Sequence, residues 1–144
     1  MSEICSYSGY GVYSTNYTPQ LDGLKFLISM TTELQNELKE YFEEVGINNP
    51  TIDDFNEWDL DDGYLGWHGI IARAMNEIEE IQSIACISDD NGQVVVMFRE
   101  GCPWSFTKKE NMLSRTDVDE IFNKYYSVVC GKNVSCDYVT VTLY

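Results

Sequence analysis

Two apolar runs joined by a turn constrain this chain more than any other feature. Ile81–Ser88 and Gln93–Arg99 flank Asp89-Asp90-Asn91-Gly92. Asn-Gly after an acidic pair favours a hairpin, because both residues tolerate the positive φ that tight hairpin turns need. Val94, Val96 and Phe98 point one way; Val95, Met97 and Arg99 point the other. A strand that is apolar on both sides predicts an interior position. The hairpin should pair Ile84–Ile87 with Val94–Met97. Two further segments alternate like strands: Tyr7–Ser14, weakened by Gly9 and Gly11, and Asp137–Tyr144. The expected sheet has the hairpin at its centre and these two strands at its sides.

Helical patterns fill the spaces between. Thr18-Pro19 reads as an N-cap and first helical residue, opening a helix over 19–29 that carries Leu21, Leu24, Leu27 and Ile28. Thr32 with Gln35 reads as a capping box for a second helix. Its apolar stripe is Leu34, Leu38, Tyr41, Phe42 and Val45, and Gly46 supplies the left-handed residue that ends it. Pro50 and Thr51 mark a short turn of helix through Phe55 and Trp58. Gly63–Glu80 carries Leu65, Ile70, Ile71, Ala74, Met75 and Ile78 at helical spacing. Thr107 with Glu110, and Ser114 or Thr116, mark further starts; Val118, Ile121, Phe122 and Tyr125 place the last helix over 116–129, ended by Gly131. Strands at start, middle and end with helices grouped between them predict an α+β fold. The expected architecture is a small antiparallel sheet of about four strands packed with about four helices. At 144 residues the chain, 1–144, makes one globular domain.

Composition excludes several classes. Hydrophobic residues make up 44% of the chain, against only 10 Gly and 3 Pro, so a disordered or collagen-like chain is excluded. No apolar run approaches the roughly 20 residues of a membrane span. The N-terminal MSEICSYSGYG lacks the basic start of a secretory signal, so a cytoplasmic location is expected. The five cysteines include no CxxC, so neither a zinc ribbon nor a thioredoxin-like motif is present; reduced thiols, no cofactor and no metal are expected. Cys86 reads as core. His68 is the single histidine, distant in sequence from every cysteine and more suited to packing than to activating a nucleophile. Ser8-Gly9-Tyr10-Gly11 is not followed by Gly-Lys-Ser/Thr, so it is no phosphate loop.

The distribution of charge points toward a partner. The net charge is −15, from 24 acids and 9 bases, which repels nucleic acid and anionic membrane. Residues 33–80 alone hold 14 acids against Lys39 and Arg73. Glu33, Glu37, Glu40 and Glu44 recur at spacings of four, three and four, one helical face about 16 Å long. Such like-charge neighbours cost about 0.2–0.5 kcal/mol each. A second cluster follows: Asp53, Asp54, Glu57, Asp59, Asp61 and Asp62. Starting an EF-hand at Asp59 puts Gly63 at position 5 rather than 6, so this is no calcium loop. No spacing singles out a carboxylate pair for glycoside hydrolysis. The acids are either a solvated, solubilising face or a surface that imitates phosphates and occupies a basic groove. Tyr10, Tyr17 and Tyr64 lie in turn-like or acidic surroundings, as suits a surface that meets Arg and Lys.

Gly101-Cys102-Pro103-Trp104, Thr107 with Glu110, Ile121-Phe122 with Tyr125, and Ser8-Gly9-Tyr10-Gly11 resemble small uncharacterised proteins of phages and mobile elements. Size, acidity and the lack of catalytic motifs are similar to anti-defence proteins such as anti-CRISPR inhibitors. That resemblance implies a non-enzymatic inhibitor in the host cytoplasm, with a basic, nucleic-acid-binding protein as partner. With a net charge of −15, direct binding of nucleic acid or membrane is not expected. The ten carboxylates of the two clusters, Glu33 to Asp62, would be the contact surface. The alternative is a sequestering or catalytic module that takes a nucleotide-like small molecule beside the Gly/Tyr-rich first strand.

Overall fold

The computed structural model describes residues 5–58, 66–89, 91–99, 110 and 112–143. Along the chain run β1 (Cys5–Tyr13), a 3-10 turn at Ser14–Asn16, α1 (Leu21–Ser29), α2 (Thr32–Val45) and α3 (Ile52–Asn56). Then follow α4 (Trp67–Glu79), β2 (Ile84–Ser88), β3 (Val94–Arg99), α5 (Arg115–Cys130) and β4 (Asp137–Leu143). The fold is α+β, with five helices and one four-stranded antiparallel sheet among the described residues.

The hairpin forms where the turn chemistry demands it. Ile84 pairs with Phe98 and Ile87 with Val95. Asp89 closes the turn: its carboxylate accepts the N–H groups of Asn91 at 2.9 Å and Gln93 at 2.8 Å, and Gly92 takes φ +83°. The strand order β2-β3-β1-β4 corrects the expected layout. The hairpin is not central, and the terminal strands do not flank it. They pair with each other, Tyr7 against Val141, on the β3 side, which leaves β2 and β4 as edges. β3 is interior, as its two-sided apolarity predicts. Its neighbour β1 is interior despite the two glycines.

Those glycines shape the sheet. A Cβ on Gly9 would stand 2.2 Å from the Phe98 carbonyl oxygen, and one on Gly11 2.1 Å from that of Val96. Both positions need the bare backbone. Gly9 and Gly11 alternate in phase with Val95 and Met97 of β3 and with Val139 and Val141 of β4. Over this glycine trough, side chains from two non-adjacent strands meet in a second apolar cluster, Val95, Met97, Val139 and Val141. The other sheet face carries Val12, Val96, Phe98 and Ile84 into the main core under the helices. There Leu24, Leu34, Ile70, Met75 and Phe122 are fully enclosed. Each such side chain contributes about 1.5–3 kcal/mol by leaving water.

Local signals account for most helix ends, with two corrections. Gly46 and Gly131 end α2 and α5 at φ +76° and +70°. Ser114 and Asp117 form the capping box of α5, and Thr51 and Asp54 that of α3. The α1 helix, however, is entered from Gln20 rather than Thr18. Its Gln20 N–H is held by the Val129 carbonyl at 2.8 Å. For α2 the N-cap is Thr31, whose hydroxyl donates back to the Ile28 carbonyl at 2.9 Å instead of capping. A tight link to α1 overrides the Thr32–Gln35 box. Residues Leu65, Cys102, Trp104 and Thr107, named above as structural signals, lie outside the described residues.

Candidate functional site

The acidic row is built by α2. Its apolar stripe, Leu34, Leu38 and Phe42, is buried against the core, which turns Glu33, Glu37, Glu40 and Glu44 outward to solvent. Phe42 meets Phe55 edge-on at 5.2 Å, and the Tyr41 hydroxyl donates to the Glu57 carbonyl at 3.4 Å. These contacts tie the α3 segment to α2, and Asp53 and Glu57 of that segment are both exposed. Asp59, Asp61 and Asp62, named from the sequence, lie outside the described residues.

The row is not uniform. Arg73 of α4 reaches across to Glu37, Nη1 to Oε2 at 2.6 Å, and its guanidinium lies 5.7 Å from the centre of the Trp58 ring. The hydrogen bond to Glu37 raises the Arg73 pKa, against some desolvation; Glu77 and Glu33 add to the rise. Glu77 also accepts the Glu33 N–H at 3.4 Å, a carboxylate at the first turn of a helix, where the dipole favours it. Asp54 is occupied by its cap: it accepts the Thr51 N–H at 2.8 Å. Among the described residues, then, Glu37 and Asp54 do structural work. Glu40, Glu44, Asp53 and Glu57 present free carboxylates. The sequence reading missed the cross-helix role of Arg73; its signal was its position as one of two bases within the acidic stretch.

A second constellation brings a serine and the histidine together. The Tyr126 hydroxyl donates to Ser14 Oγ at 2.7 Å, and Ser14 Oγ lies 2.6 Å from His68 Nδ1. Burial lowers the His68 pKa to about 4, so the ring is neutral at pH 7. Ser14 is completely enclosed, and the Trp67 ring packs on the histidine at a tilt, centroids 4.0 Å apart. A nucleophile with no access to solvent does not meet substrate. The triplet pins the end of β1 to α4 and α5.

The thiols of Cys86, Cys130 and Cys136 are free, and burial pushes the first two up to about 12 and 11 and the third higher still. Such thiols pack and do not react. Among the described residues no group of three metal-ligating side chains converges, and no helix is long and apolar enough to cross a membrane. Of the aromatics singled out above, Tyr10 lies under Arg115 at 4.7 Å and Tyr17 packs on Tyr126 at 5.6 Å; Tyr64 lies outside the described residues.

Two hollows adjoin the first strand. One, of about 260 Å³, is framed by Gly11, Tyr13, Asn16, Tyr17, Asp137 and Tyr138. The other, of about 450 Å³, opens on the far face of the sheet beside Tyr7, Ala85, Ile87 and Arg99. Comparison of the chain with family models, with curated proteins and with solved structures finds no match.

Proposed function

We propose that this protein is a non-enzymatic, acidic binding protein whose α2–α3 face occupies the basic, nucleic-acid-binding groove of a partner, in the manner of anti-CRISPR and other phage anti-defence inhibitors. One observation supports the reading above all. Glu33, Glu40, Glu44, Asp53 and Glu57 are all exposed on α2, on α3 and just after it, while the cation Arg73, itself partly exposed, is engaged by Glu37 and Trp58. A face that served only solubility would gain from interspersed lysines. Here the acids far outnumber the two bases, the exposed Lys39 and the Glu37-paired Arg73, which suits steering toward a basic surface.

The test is capture from a prokaryotic lysate on the immobilised protein, at low and at high salt, with Glu40→Lys/Glu44→Lys in parallel. Surface reversals of this kind change stability by about 0.5 kcal/mol or less. The expected outcome is a basic nucleic-acid-binding protein retained by the wild type at low salt and lost from the variant. Retention unchanged by the reversal, with the fold intact, assigns the α2 acids to solubility alone.

A further inference from the structure

The far face of the sheet carries a feature unrelated to the acidic helices. The glycine trough removes side chains from the middle of β1, and Ala85 places only a methyl group on β2. Around the buried cluster of Val95, Met97, Val139 and Val141 this leaves a hollow of about 450 Å³, walled by the half-buried Tyr7, Ala85, Ile87 and Leu143. That volume falls within the range of small-ligand sites, roughly 300–1,000 Å³.

Among the described residues, Arg99 is the cation on the rim. Arg99 is exposed, and its guanidinium lies 4.9 Å from the centre of the Tyr7 ring. In a chain of net charge −15, the described ion pairs are Arg73 with Glu37 and Lys124 with Glu79. No described carboxylate reaches Arg99. Contact with the Tyr7 ring holds the guanidinium at the mouth of the hollow while leaving N–H groups for an acceptor.

We propose that this hollow is a binding site for a small organic monoanion, an apolar aryl or hydrocarbon body ending in one carboxylate or sulfonate. The body lies on Ala85, Ile87 and Leu143, and the anionic group pairs with Arg99 beside the Tyr7 ring. The chemistry is specific on both counts. An apolar wall does not recompense the desolvation of a sugar or a polar base. A single guanidinium matches one oxyanion group bidentately and leaves a polyphosphate largely unpaired. The acidity of the rest of the chain repels multivalent anions further.

Two probes share an arene and differ in charge: 8-anilinonaphthalene-1-sulfonate and the neutral N-phenyl-1-naphthylamine. Fluorescence titration of the whole chain should show saturable one-to-one binding of both. Arg99→Gln should weaken the sulfonate about tenfold, the loss of a charge-assisted pair, and leave the neutral amine unchanged. Ala85→Trp should abolish both; Leu143→Trp fills the same space from β4 should the first variant fail to fold. Circular dichroism verifies the fold of each variant. Equal loss of both probes in Arg99→Gln, an unchanged sulfonate affinity there, binding that survives both tryptophans, or no saturable binding to the wild type each overturns the proposal.

Discussion

Acidification should cost this protein stability through one residue. The His68 ring, about 4 in pKa when folded, returns to its ordinary 6.5 when the chain unfolds. The unfolded state therefore takes up the proton first as pH falls. Stability contributed by the neutral ring is fully present above pH 6.5, declines through the window from 6.5 to 4, and is constant below it. The full shift corresponds to about 3 kcal/mol, of which about 2 kcal/mol is lost by pH 5. The effect of this one ring is isolated by difference. His68→Asn keeps a hydrogen-bonding partner for the Ser14 hydroxyl and removes the titration. Urea unfolding of both proteins, followed by far-UV circular dichroism, should show the wild type the more stable at pH 7.5, because the variant loses the ring that packs on Trp67. That gap should shrink by about 2 kcal/mol at pH 5. A gap that stays constant between the two pH values refutes the buried, neutral Tyr126–Ser14–His68 chain.

Three further perturbations separate the causes named above. Gly11→Ala drives a Cβ to 2.1 Å from the Val96 carbonyl oxygen and should cost about 3 kcal/mol or more in urea unfolding, whereas Gly46→Ala, at φ +76° with open space around it, should cost about 1 kcal/mol. At pH 8, Cys86, Cys130 and Cys136 should alkylate roughly a hundredfold or more slower than free cysteine, read by mass spectrometry of native protein, and should label at the ordinary rate in urea. The Arg73–Glu37 pair is substantially exposed, so a double-mutant cycle should return a coupling of about 0.2–1 kcal/mol, and Arg73→Ala should lose more than Glu37→Gln because it also leaves the Trp58 ring.

What the sequence carried was local. The Asp89–Gly92 turn, the α2 stripe with its Gly46 stop, and the Ser114 start of α5 are each written within a few residues, and each is found in place. What it did not carry was pairing between distant segments. Nothing in β1 or β4 alone says that Tyr7 lies against Val141 rather than beside the hairpin, because alternation fixes a strand's faces and not its neighbour. In the sequence Gly9 and Gly11 weaken a strand; only the register shows that the space they vacate lets Met97 meet Val139. The Thr31–Ile28 bond displaced a reasonable capping box because the linker from α1 is too short to present Thr32 as a cap. Of the acidic site, the Glu33–Glu44 row was legible from spacing alone. The diversion of Glu37 to Arg73, 36 residues away, was not. The Tyr7–Arg99 hollow belongs to the same class: four strands build it, and none carries its signature.

Competition with nucleic acid tests the proposed activity most directly. The captured partner, loaded with a fluorescent DNA or RNA ligand, is titrated with this protein, and the ligand's anisotropy is followed at several salt concentrations. Displacement of the ligand is predicted, with an apparent affinity that weakens as salt rises and that falls steeply in Glu40→Lys/Glu44→Lys. A stable ternary complex, with the ligand's anisotropy undiminished at saturating protein, contradicts occupation of the nucleic-acid groove by the α2–α3 face.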